Sequence, residues 1–115
     1  MKKKKLEIEL NDAPPSVNAF WGQHGPIKYI TKKGKEWRKH IQENLPKESL
    51  GDARLKLDIT ITFKGKRKRD LDNYLKPLID TFSGFLFDDD EQIDEIVAKR
   101  IYGKDNHVDI ILEAL

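Results

Sequence analysis

The sequence predicts a single α/β domain of the α+β kind spanning residues 1–115, a mixed four-stranded sheet covered by two main helices in the order β-α-β-α-β-β. Three observations carry this. The segments "LEIEL" and "ARLKLDITITFK" alternate apolar and polar residues, the period of a strand with one buried face. Between Leu71 and Phe82 the apolar residues recur at helical spacing instead. A chain of 115 residues is long enough for one core and too short for two.

The first strand sets Leu6, Ile8 and Leu10 on one face and Glu7 and Glu9 on the other, and the prolines of "NDAPPSVN" end it because they cannot donate to a ladder. Ala19 to Ile30 shows no period and reads as loop. Thr31 can cap a helix whose apolar stripe is Trp37, Ile41 and Leu45, with Pro46 as its stop. That stripe is narrow, so the helix should lie on the surface. The second strand aligns Leu55, Leu57, Ile59, Ile61 and Phe63. The second helix presents Leu71, Leu75, Leu78, Ile79 and Phe82 to the sheet, with Tyr74 beside the stripe and Gly84 as a C-terminal stop. "IVAKRIY" and "HVDIILEA" then read as two strands, and "GKDN" between them has the composition of a hairpin turn.

Composition narrows the function. Apolar and charged residues each make up 37% of the chain, which implies a thin core and a densely ionic surface that a second subunit could help to cover. The net charge of +2 hides basic runs at Lys2 to Lys5, Lys28 to Lys39 and Lys64 to Arg69, so a polyanion is an expected partner. With no cysteine the chain has neither disulfides nor thiolate metal ligands, which fits a reducing cytoplasm. No apolar run approaches the roughly 18 residues of a membrane span. Lys2 to Lys5 runs into an alternating strand, unlike a signal peptide. A cytoplasmic protein without membrane attachment is expected.

The stretch "KRKRDLDNYLKPLIDTFSGFLFDDDEQID" gathers carboxylates at both ends of one helix, directly after four basic residues. Asp70 and Asp72, two apart on an extended backbone, would face the same way. Pro77 lacks an N–H and is harmless only in the first four helical positions, which would start the helix near Asn73 and leave Asp70 to Asp72 extended. Clustered carboxylates suit a hard dication such as magnesium. The "DDDEQ" cluster does not fit a calcium loop, which would need glycine at Ile93. A helix from Asn73 to Gly84 is about 18 Å long at 1.5 Å per residue, so the chain must fold back if Asp88 to Asp90 are to meet Asp70 and Asp72. Two blander readings stand beside this one: Asp70 and Asp72 as helix caps, and "DDDE" as a solvated turn. Lys76, one turn after Asp72, could form an intrahelical ion pair or meet a phosphate. His24, His40 and His107 match no metal or triad spacing and read as surface residues, and Asp80 is assigned no metal role.

The ordered set "RDLDNYLKPLIDTFSGFLFDDDEQI" resembles the signature of the RusA-like family of Holliday junction resolvases. There a basic run, D-L-D-N, a lysine four residues after the second aspartate, a further aspartate and D-D-x-Q follow in order. "PPSVNAFWGQHGPIKYITKKGKEWRK" is similar to that family's opening, and the likeness runs from about Leu6 to Leu112. The resemblance implies Asp70, Asp72 and Asp90 as metal-binding carboxylates, with Asp89 as a substitute, and Lys76 as a catalytic lysine at the phosphate. Asp90 is chosen because it stands immediately before x-Q, while Asp88 is an extra acid and Pro77 departs from the small residue usual at its position. Lys66, Arg67, Lys68 and Arg69, with Asn18 and Lys33 of the opening segment, become the expected DNA contacts. The implied activity is magnesium-dependent, paired hydrolysis of four-way DNA junctions by a homodimer. The alternative is a nucleic-acid-binding module without catalysis, which would explain the basic runs but not the ordered acids.

Overall fold

The computed structural model describes residues 4–115, so Lys2 and Lys3 of the first basic run lie outside the described residues. Its main sheet has the strand order β1-β6-β4-β5, built from β1 (Lys5–Leu10), β4 (Leu55–Lys64), β5 (Ile93–Gly103) and β6 (His107–Ala114). The alternating segments form strands with the expected faces inward. β1 and β4 bury every second residue, and Leu55, Leu57, Ile59 and Ile61 are fully buried. Three helices, α1 (Val17–Phe20), α2 (Lys32–Glu43) and α3 (Asp72–Phe82), complete the architecture with a small hairpin of β2 (Trp21–His24) and β3 (Ile27–Ile30). The mixed four-stranded sheet with two long helices is as the sequence predicts.

The core lies on one face of the sheet, where Leu6, Ile59 and Ile110 of the strands meet Phe20, Trp37 and Ile41 of α1 and α2 and Leu78 and Phe82 of α3. The opposite face carries Lys56, Asp58, Thr60 and Thr62 of β4, all half-buried. No helix among the described residues is long and apolar enough to cross a membrane.

Two expectations are corrected. The segment from Ala19 to Ile30 is no loop but the end of α1 and the β2–β3 hairpin. Its strands are too short to show a period, and its turn is made by Gly25, whose φ of 60° is the positive angle that tight hairpins need, followed by Pro26. "GKDN" is not a hairpin turn either. β5 and β6 do not pair, because β4 lies between them, parallel to β5 and antiparallel to β6. Lys104 to Asn106 therefore bridge the end of β4, a span of about 9.6 Å at two strand spacings. Asn106 Oδ1 accepts the Lys64 N–H at 2.8 Å and the Gly65 N–H donates to the Gly103 carbonyl at 3.2 Å, which closes the crossing over the strand end. β4 takes the centre because its five inward apolar side chains are best buried with a neighbour on each side.

α2 is capped as the sequence implies: the Thr31 hydroxyl accepts the Gly34 N–H at 3.0 Å and also donates to the Ala19 carbonyl, tying α1 to α2. Trp37 and Ile41 are buried against the core, so the exposed side of this helix is its polar remainder.

Candidate active site

Arg69 fixes the entry to α3. Its guanidinium stacks on the Phe63 ring at 4.7 Å, its N–H donates to the Tyr102 hydroxyl at 3.3 Å, and its carbonyl accepts from Arg100. The basic run is thus anchored at its last residue to the C-terminal ends of β4 and β5. Lys66, Arg67 and Lys68 remain exposed. Arg67 and Arg69 line a groove of about 220 Å³ with Lys33 of α2 and the Pro14–Ser16 segment. Lys33, Arg67 and Arg69, distant in sequence, therefore share one basic surface.

α3 begins earlier than the proline argument allows. Leu71 already has helical angles, φ −56° and ψ −44°, and the Asn73 N–H donates to the Asp70 carbonyl. Pro77 lies inside the helix and leaves the Asn73 carbonyl without its usual donor, while the buried Thr81 hydroxyl donates to the Pro77 carbonyl at 2.8 Å. The expectation that Asp70 to Asp72 are extended is corrected with it, since Leu71 between them has helical angles. Neither aspartate caps the helix, since no side-chain cap bond is made there. Both carboxylates are exposed, without a hydrogen bond or ion pair among the described residues, at the positive end of the helix.

Lys76 pairs forward rather than back. Its Nζ lies 3.0 Å from Asp80 Oδ1, and the other Asp80 oxygen accepts the Trp21 indole N–H at 3.3 Å. Asp80, 17% exposed, thereby holds Lys76 at the edge of a groove of about 490 Å³ that Asn18, Trp21, Gln23 and Lys28 also line. Sequence reasoning passed over Asp80. Its i,i+4 spacing from Lys76 was the available signal.

The third acidic contribution lies elsewhere. After α3 the chain makes a 3-10 turn, Asp90–Gln92, closed by a capping box in which the Asp89 N–H donates to Gln92 Oε1 at 2.8 Å. Gln92 is buried, and its amide donates to the Gly51 and Ala53 carbonyls at 2.8 and 2.7 Å. Arg54 clamps the same turn through Asp94 and Glu91, and the Arg54 guanidinium, chiefly by hydrogen bonding, holds the Asp94 carboxyl below the usual range. Asp89 is the cap residue, its Oδ1 accepting the Asp90 N–H at 2.9 Å. Asp88 and Asp90 are exposed and unpaired among the described residues. This turn sits at the start of β4 and β5, whereas Asp70 and Asp72 sit at their end.

Within one chain the fold accordingly does not bring Asp90 to Asp70 and Asp72. Among the described residues one group of three ligand-type side chains has its atoms within 4.8 Å of one another: Glu9, His107 and Asp109, on the far face of the sheet from α3. His107, half-buried rather than a plain surface residue, already faces Asn11 Oδ1 at 3.1 Å and Asp109 Oδ1 at 3.0 Å. Only the pairing of Glu9 opposite Asp109 assembles this group, so no spacing within one segment could have signalled it.

The family model for Endodeoxyribonuclease RusA matches residues 12–113. A relative from Enterobacteria phage HK97, named "Crossover junction endodeoxyribonuclease rusA", is 39% identical over 88 residues, which is 72% of this chain and 72% of the relative. The match spans the basic groove, both ends of α3 and the capped turn.

Proposed function

The chain belongs to the Endodeoxyribonuclease RusA family, and from that premise we propose that it resolves four-way DNA junctions by paired, magnesium-dependent hydrolysis of phosphodiester bonds, as one domain acting in the cytoplasm. The observation that supports this reading is that Asp70 and Asp72 are not spent on the fold: among the described residues they cap nothing and pair with nothing, yet stand at a helix end next to a basic groove. Unpaired carboxylates beside cations are what a phosphate and its dication require.

Asp70 and Asp72 of one protomer, with Asp90 supplied by the second copy of a homodimer, are the proposed ligands, and Asp89 is a weaker one because its carboxylate already serves as a cap. All are hard oxygen donors, which suits magnesium. When bound there, the ion supplies Lewis acidity toward a phosphoryl oxygen and a lowered pKa for an attacking water. Lys66, Arg67 and Lys68 meet the DNA backbone without reading sequence, together with Lys33 across the groove. Arg69 positions them. Lys76, steadied by Asp80 beside Asn18, contacts the scissile phosphate and offsets the charge that grows on it.

A synthetic four-way junction incubated with the protein should be cut in magnesium and left intact in EDTA, while remaining bound in both. Binding with no cleavage under any divalent ion would favour the binding module instead.

A further inference from the structure

The open face of the sheet, on the side away from the helices, carries a group that neither the fold nor the proposed chemistry uses. β1 and β6 pair antiparallel with Glu9 directly opposite Asp109, and the alternation of each strand points both carboxylates away from the core. Like charges directly opposite each other weaken a ladder. No lysine or arginine relieves them: among the described residues Glu9 makes no ion pair, Asp109 faces only His107, and the neighbour of Asp109 on β4 is the neutral Thr60.

His107 stands two residues before Asp109 on the same strand and therefore on the same face. Its Nε2 lies 3.0 Å from Asp109 Oδ1, and its Nδ1 lies 3.1 Å from Asn11 Oδ1. A neutral imidazole has one N–H and can donate to only one of these oxygens. With Asn11 Oδ1 accepting the Nδ1–H, the Nε2 lone pair faces a carboxylate, and the Glu9 carboxylate lies within 4.8 Å of both. Three lone pairs then converge on one point, which is a place for a cation. An oxygen on the far ring nitrogen is also the usual support of a metal-bound histidine.

The donor set selects the ion. One imidazole nitrogen with two carboxylate oxygens suits zinc and its first-row neighbours, whereas magnesium takes oxygen ligands. Atoms bound to one zinc at about 2.0–2.2 Å stand about 3.4 Å apart in a tetrahedron. The 3.0 Å contact of His107 with Asp109 therefore opens slightly, and the exposed Glu9 closes by rotating its side chain. A groove of about 510 Å³ along Glu7, Glu9, Asp109 and Ile111 leaves room for the water that completes four ligands.

We propose that Glu9, His107 and Asp109 bind a first-row transition dication, with zinc as the type case, and that the ion ties the edge strand β1 to β6. β1 pairs with β6 alone, so an ion shared by the two strands adds a link where the sheet has fewest. The site lies across the sheet from the magnesium ligands proposed above and does not depend on them. Its ion is structural and takes no part in cleavage.

A ligand that binds only the folded chain stabilises it by mass action. Zinc at about 100 times its Kd should therefore raise Tm by about 5–10 °C, and magnesium at the same concentration should leave it unchanged. Isothermal titration of a chain carrying Asp70→Asn and Asp72→Asn, which removes the other acidic site, should still find one zinc per chain. Glu9→Gln is the sharper test: it removes the opposed charge, so its Tm without metal should equal or exceed the wild-type value while the rise with zinc is lost. His107→Gln should lose that rise as well. His40→Gln, which alters the histidine of the groove on the other side of Glu9, should keep it. A wild-type Tm that zinc does not move overturns the proposal, and so does a full rise in His107→Gln, which would place the ion elsewhere. If His107→Gln melts lower without metal and zinc moves neither chain, a proton alone holds the cluster together and the metal site fails. None of these measurements involves DNA, so their failure leaves the proposed nuclease function standing.

Discussion

Asp80 accepts from Trp21 with one oxygen and from Lys76 with the other, so it joins the β2–β3 hairpin to the lysine that we place at the phosphate. Asp80→Asn keeps an acceptor for the indole and removes the charge that orients Lys76. The ion pair has one partner 59% exposed, so its contribution to stability is within about 1 kcal/mol. Misplacement of a catalytic group by an ångström can cost about 100-fold. Asp80→Asn should therefore lower kcat by up to that factor, leaving junction affinity and Tm nearly unchanged; a parallel fall in Tm would mark Asp80 as structural only. The stronger prediction concerns the unpaired acids. Asp70→Asn, Asp72→Asn and Asp90→Asn should each abolish cleavage with junction binding intact or tighter, since each loses a metal ligand and some repulsion toward phosphate. Asp58→Asn, on the sheet face away from α3, is the control and should cut normally. A correctly folded Asp70→Asn that cuts at the wild-type rate would remove the proposed metal site.

The elements that shape the site are held by close approach and by ions. Gly34 lies in the first turn of α2, where a Cβ would come within 2.6 Å of the Phe20 carbonyl and 3.0 Å of Ile30. Glycine is a poor helix former, so its presence is explained by the fit of α2 on α1. Gly34→Ala should destabilise the protein by about 1–3 kcal/mol through overpacking, seen as a lower Tm; an unchanged or higher Tm would mean the helix can shift at no cost. The turn before β5 depends on charge. The Asp94 carboxyl is held below its ordinary value by Arg54, so its contribution is fully present above the unfolded value and is lost as pH falls through the lowered one. Arg54→Gln should lower stability above about pH 4, the unperturbed aspartate value, by an amount that screening of an exposed pair keeps small. Tm measured across pH should show the variant and the wild type converging in acid; a deficit that persists unchanged below about pH 2, well under the unperturbed value, would mean that the ion pair is not its cause.

On the scale of the whole molecule, the basic groove gathers Lys33 from α2 with Arg67 and Arg69 from the loop before α3. Junction affinity should fall steeply with salt, and each phosphate contact removed should lower the slope of log affinity against log salt by about 0.9. Lys33→Ala and Arg67→Ala together should show this additively; a slope that does not move would make the groove a solvated surface. Arg69→Ala should behave differently and also loosen the loop, because that side chain stacks on Phe63.

The sequence by itself determined which residues face the core and where the chemistry-bearing groups lie along the chain. Strand alternation in β1 and β4, the Thr31 cap and the stripe of α3 are properties of a few neighbouring residues, and the buried face follows from the period alone. The ordered aspartates and basic residues likewise identified the family from a contiguous stretch. Tertiary structure decided which elements became neighbours. "GKDN" has the composition of a hairpin turn whether its strands pair with each other or straddle a third, and only the burial of β4 between β5 and β6 chose the second. The same choice carried the Asp90 turn to the opposite end of the sheet from Asp70 and Asp72, joined Asp80 to Trp21, and set His107 beside Glu9. Strand partnership depends on long-range hydrogen bonding and on burial shared by the whole sheet, and local periodicity contains neither.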